Sequence, residues 1–113
     1  MMFISYENDE IRECCLLLSD TRSHARFTID EIKIIRSIIA DLKSAPQLLD
    51  APVKYDYDKE SGLIEINYEA VKIVCKAVTT LLKPTADKIQ RIKIVNIINI
   101  AFEENIAKTD KIN

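Results

Sequence analysis

Glycine occurs once in this 113-residue chain, proline three times and tryptophan not at all. With Gly62 as its one glycine, the chain cannot build a glycine-rich loop that cradles phosphates, and few tight turns are expected. A lone histidine, His24, leaves neither a zinc set nor a nucleophile triad to assemble, and no metal or other cofactor is expected. The three cysteines, Cys14, Cys15 and Cys75, are odd in number and lack metal-ligand spacing. They read as small buried apolar groups in a reducing compartment. No apolar run reaches the roughly 18 residues of a membrane span. The start, "MMFISYENDE", has no basic leader, so a cytoplasmic protein rather than a secreted one is expected.

What is present is an ordinary globular mixture, 48% hydrophobic and 30% charged, with a net charge of −2. One domain with a modest core is expected over residues 1–102, followed by a short helix or tail over 103–113. The net charge excludes a broad basic coat, but the charge is uneven. Between Lys72 and Lys93 there are six basic residues and one acid, Asp87. That stretch reads either as a phosphate-facing patch or as a solvated face that keeps the protein soluble.

Local signals place the first elements. "MFISY" (2–6) suits a first strand. Asn8 is a helix cap, with Asp9 and Glu10 in the first turn and Ile11, Cys14, Cys15 and Leu18 on one face. "SDTRSHARF" is a polar break. Thr28 and Glu31 then form a capping box behind Phe27 as a hydrophobic staple. The helix stripe is Ile29, Ile32, Ile35, Ile39 and Leu42, and Ala45-Pro46 is the stop. From residue 53 the period becomes two. Tyr55 and Tyr57, then Ile64, Ile66 and Tyr68, alternate with polar residues around "KESG", the pattern of a hairpin.

Residues 68–102 read both ways. Val71, Ile73 and Cys75 alternate with Lys72, Val74 and Lys76 as a strand would. Val71, Val74, Cys75, Val78, Leu81 and Leu82 fit a helix as well. Ile92, Val95, Ile98, Phe102 and Ile106 also make a helical stripe, although six of the nine residues from Ile92 to Ile100 are β-branched Ile or Val. The two outcomes are an α+β protein and a mostly helical bundle with one hairpin. In the first, a short N-terminal strand and two helices precede an antiparallel sheet of three to four strands.

Several segments, in order, resemble the killer-protein branch of the RelE/ParE superfamily of type II toxins. "IADLKSAPQLLDAP" (39–52) resembles the end of its second helix, and "IRECC" (11–15) its first. "SGLIEINY" (61–68), "VKIVC" (71–75) and "KIQRIKIVNI" (88–97) resemble successive strands. The resemblance spans about residues 4–97 and implies the α+β fold, with both ambiguous segments extended. It implies a cognate antitoxin as partner, and a metal-independent endoribonuclease acting on mRNA at the ribosome. That chemistry needs a base, an acid and cations around the phosphate. The chain departs from the family at both catalytic places. Acids fill the loop "DAPVKYDYDKESG", and Ile100-Ala101 stand where Tyr and His are expected. No catalytic residue can be assigned, and activity is expected to be weak or lost. Lys72, Lys76, Arg91 and Lys93 remain, as candidates to hold RNA phosphates. The tyrosines at 55, 57 and 68 are either base-stacking groups or cross-strand packing. Asp56, Asp58, Glu60 and Glu65 are solvated charges without calcium-loop spacing. The rival reading is a non-enzymatic inhibitor or immunity-type protein that binds a basic protein partner, and a third is an active ribonuclease using Lys and Tyr.

Overall fold

The computed structural model describes residues 1–16 and 27–99. The elements run β1 (Phe3–Tyr6), α1 (Asp9–Leu16), α2 (Ile29–Ser44), β2 (Tyr55–Asp58), β3 (Leu63–Tyr68), β4 (Val71–Ala77) and β5 (Arg91–Asn99). Single turns of 3-10 helix lie at Leu48–Asp50 and Ala86–Lys88. The α+β architecture is as the sequence implies. The helical bundle is overturned, because both ambiguous segments lie extended.

The sheet is larger than the expected three or four strands. Strands β2 to β5 form an antiparallel meander, and β1 adds itself parallel to β5, giving the order β1-β5-β4-β3-β2. The N-terminal strand therefore completes a mixed sheet instead of standing apart from it.

Both caps form as the local sequence dictates. The Asn8 side chain accepts from the Ile11 N–H at 2.9 Å. Thr28 Oγ1 accepts from the Glu31 N–H at 3.1 Å, and Glu31 accepts from the Thr28 N–H at 2.8 Å. Each bond satisfies an N–H that a helix start leaves without an intrahelical partner. Phe27 is buried ahead of the box. The buried face of α2 is Glu31, Ile32, Ile35, Ile38, Ile39 and Leu42. Ile29, expected on that stripe, is 63% exposed, and Ile38 takes a core place instead. At about 100° per residue, Ile38 lies roughly 60° around the helix from Ile35, inside the apolar stripe, whereas Ile29 lies roughly 120° away on its flank.

The inner face of the sheet is Ile64 and Ile66 on β3, Val71, Ile73 and Cys75 on β4, and Ile92, Ile94 and Ile97 on β5, all buried. A bulge explains the uneven spacing on β5. Cys75 pairs with Ile94, but the preceding Val74 pairs with Asn96, so Val95 is the extra residue. Gly62, at φ 78°, closes the β2–β3 hairpin, its N–H donating to the Asp58 carbonyl at 2.8 Å. A left-handed backbone is cheapest at glycine.

Cys15 and Cys75 lie in this core. Burial pushes both thiols up to about 12, with a smaller push from Cys14 on Cys15 and from Cys15 on Cys75. The unfolded chain releases these protons near 9, so the folded state binds more protons between the two values. Stability is therefore full below about pH 9 and should fall as pH rises toward about 12. Urea melts across the range from neutral to alkaline pH should show the decline. A thiol reagent at mildly alkaline pH should modify Cys15 and Cys75 only as fast as the chain opens.

Candidate functional site

The helices cover one face of the sheet, and the outward side chains of the strands make up the other. Alternation and register define rows across that outer face. One row is Phe3 on β1 and Arg91 on β5, with Val78 just past β4. The next is Ser5, Lys93, Lys76, Leu63 and Asp58. Beyond the bulge, Asn96, Val74, Glu65 and Asp56 align, and then Ile98, Lys72 and Asn67.

The four candidate cations do share this face, but they do not form one group. Lys76 and Lys93 are direct cross-strand partners, and Arg91 is the next outward residue along β5. Lys72 is four residues from Lys76 on the same strand, about 13 Å away at the usual rise. It pairs with Ile98 in register and lies 3.8 Å from Glu65. The cluster is therefore Lys76, Lys93 and Arg91, and Lys72 stands outside it.

Like charges placed directly opposite each other destabilise a sheet. The partial remedy is Glu7, just past β1, whose carboxylate is 3.3 Å from Lys93 Nζ. Both groups are more than a third exposed, so the pair contributes little and yields easily to another anion. Lys76 is exposed and has no ion pair among the described residues. The Arg91 guanidinium lies 5.1 Å from the centroid of the Phe3 ring.

Acids collect at the other end of the same face, where Asp56 and Asp58 lie on β2 and Glu65 on β3. From Lys76 to β2 is two strand spacings, about 10 Å, roughly one Debye length at 0.1 M salt. The acids on β2 are largely screened from the cation cluster, and Glu65, one strand nearer, has Lys72 Nζ at 3.8 Å.

The tyrosines serve packing more than the outer face. Tyr55 and Tyr57 point to the helix side, half-buried, and the Tyr57 hydroxyl donates to the Pro84 carbonyl at 2.6 Å. Burial raises that hydroxyl's pKa, with a further push from Asp58. Tyr68 is exposed at the end of β3. It borders a cavity of about 610 Å³ between α2 and β3, whose apolar floor includes Ile34, Ile38, Val53 and Ile66. The cations of the cluster lie on the opposite face.

His24, Ile100 and Ala101 lie outside the described residues, as does the 103–113 segment. Among the described residues, no group of three or more His, Cys, Asp or Glu is arranged to hold a metal ion, and no helix is long and apolar enough to cross a membrane. Phe3, Ser5 and Glu7 are the site residues that sequence reasoning missed. They arrive through the parallel pairing of β1 on β5, a contact between opposite ends of the described chain that no local signal announces. No family model matches this chain, and neither a curated protein nor a solved structure matches it.

Proposed function

We propose that the chain binds RNA through phosphate contacts on the open face of its sheet, as a toxin-like protein of the RelE/ParE kind that has lost the acid–base pair for cleavage. The observation that carries the reading is the Lys76–Lys93 cross-strand pair with Arg91 beside it. The fold gains nothing from two facing ammonium groups, whereas a bridging phosphate turns that repulsion into attraction. The α+β order of elements and the extended 71–77 and 91–99 segments agree with the resemblance that suggested it. The cluster supplies cations and one carboxylate, and no described residue beside it carries an imidazole. Binding without turnover is the chemistry this set supports. A cognate antitoxin belongs to the same proposal, and the apolar groove along α2 has the character such a segment needs.

Fluorescence anisotropy with a labelled RNA of about 12 nucleotides tests the binding. Three phosphate contacts give a log–log salt slope of about −2, and Arg91→Ala with Lys93→Ala should bring it to about −0.7. Expression of the chain alone should slow growth. Lys93→Ala should relieve the slowing, while Lys72→Ala, which lies apart from the cluster, should not. An affinity indifferent to salt, or relief by Lys72→Ala alone, would overturn the assignment.

A further inference from the structure

We propose that the RNA held here is single-stranded and that Phe3 is the platform on which one of its bases stacks, an inference that rests on the phosphate-binding reading above. Phe3 is 62% exposed on the outer face of an edge strand. Its outward orientation is fixed from both sides, because Met2 is buried and Ile4 packs against the core. The Phe3 N–H is also tied to the Gln90 carbonyl at 3.0 Å. The ring cannot turn inward without pulling Met2 out. An aromatic ring held in solvent in this way is available to a ligand.

The surroundings specify the ligand. Arg91 occupies the β5 side of the ring. On the other side β1 has no neighbouring strand among the described residues, because it is the edge of their sheet. That side can accept a flat, electron-rich ring, and the guanidinium opposite draws electron density from the phenyl group and strengthens the stack. Arg91 and Lys93 are two residues apart on one face of β5, about 6.7 Å, and Lys76 is one strand further across. A flexible strand can place a base on Phe3 and lead its phosphates past Arg91 to the Lys76–Lys93 pair. A duplex keeps its bases stacked inside and would have to unstack one to reach the ring. Stacking on an aromatic ring tolerates any base, so the preference is for strandedness rather than sequence.

The full chain should bind a labelled single strand of about 12 nucleotides at least about tenfold more tightly than a hairpin duplex of equal charge, within the range that one base–aromatic stack supplies. Phe3→Ala should lose about that factor on the single strand, leave the duplex affinity within about twofold, and keep the salt slope. Phe3→Trp should restore or improve binding. An abasic ribose-phosphate strand should bind the wild type no better than the alanine variant binds RNA. Because Phe3 is exposed, its loss leaves the core intact, and an unchanged circular dichroism melt confirms that the variant is folded. Equal single-strand affinity for wild type and Phe3→Ala, or a preference for duplex, overturns the proposal while the phosphate reading stands. A ring that serves a protein partner gives that same null result. No RNA binding by the wild type at low salt removes the phosphate reading itself, and this inference with it.

Discussion

Lys76→Glu should weaken RNA binding by about thirtyfold, the equivalent of about 2 kcal/mol, and at the same time make the protein slightly more stable. The two effects have one origin. In the free protein Lys76 faces Lys93 across the β4–β5 ladder. A glutamate there exchanges a like-charge pair for an opposite-charge pair, a gain of up to about 1 kcal/mol. Glu7 already holds Lys93 at 3.3 Å and will share it, which keeps the gain below that limit. For a domain of this size the melting temperature should rise by a few degrees. The RNA effect has the opposite sign and is larger. A phosphate loses one attraction of about 1 kcal/mol and gains a repulsion of similar size, even at the dielectric constant of water. Lys76→Gln separates the contributions, since it removes the repulsion without adding a carboxylate. It should fall between wild type and Lys76→Glu in both stability and RNA affinity. Thermal melts and anisotropy on the same preparations decide the matter. A lower melting temperature for Lys76→Glu would mean the two lysines are not facing each other. Unchanged RNA affinity would mean the cluster is not the contact surface.

A residue that costs stability and aids binding is what a functional surface leaves behind. The other outward lysines behave differently. Lys72 has Glu65 at 3.8 Å, and Lys83 has Glu60 at 3.0 Å. Both are surface pairs that contribute little to stability. The acids on β2 lie at the hairpin edge, where charge blunts a strand against unwanted pairing. Two juxtapositions on this face are adverse to the fold, Asp56 opposite Glu65 and Lys76 opposite Lys93, and the second is the one whose repulsion a phosphate would offset.

How much of this was legible in the sequence follows from where each signal acts. The helix starts were legible because their bonds close within three residues, Asn8 to Ile11 and Thr28 to Glu31. The β2–β3 hairpin was legible because one inner face alternates with a polar outer one. Strand β4 was not, because Val74 points outward among buried Val71, Ile73 and Cys75, and the apolar run then matches a helix equally well. Strand β5 was obscured by its bulge, since Ile92, Ile94 and Ile97 follow no single period. The sharing of a face by Lys72 with Lys76, and by Arg91 with Lys93, follows from alternation once the strands are granted. Which of them meet does not follow, because register brings Lys76 to Lys93 and sends Lys72 to Ile98. Phe3 and Glu7 needed the parallel β1–β5 pairing as well.

The bulge itself predicts an asymmetry between two single-residue deletions in β5. Removing Val95 should cost little, and removing Lys93 should cost more, because it forces Ile94 out of the core. With Val95 gone, Ile94 still points inward, Asn96 outward, Ile97 inward and Ile98 outward. The strand becomes regular and every buried side chain keeps its face. With Lys93 gone, Ile92 is followed directly by Ile94, and one of the two must turn to solvent. The slip runs only as far as the bulge, where Val95 takes the inward place of Ile94 and residues 96–99 keep their faces. Ile94, 0% exposed, then moves to the outer face, and Val95 fills its core place with one methylene fewer, a loss of about 0.5–1.5 kcal/mol. Of the parallel pairs with β1, Ile4 with Ile92 precedes the slip and is kept, while Tyr6 meets Val95 in place of Ile94. The Lys93–Glu7 ion pair goes as well, so the combined cost is about 1–3 kcal/mol, a lower melting point against a total stability of about 5–15 kcal/mol. The Val95 deletion keeps every buried side chain and leaves Asn96 opposite Val74, at a cost of about 1 kcal/mol or less. Circular dichroism melts of the two purified deletions compare them directly. A Val95 deletion that melts below the Lys93 deletion would show that the extra residue of β5 is not Val95 and that the outer-face rows are drawn in the wrong register.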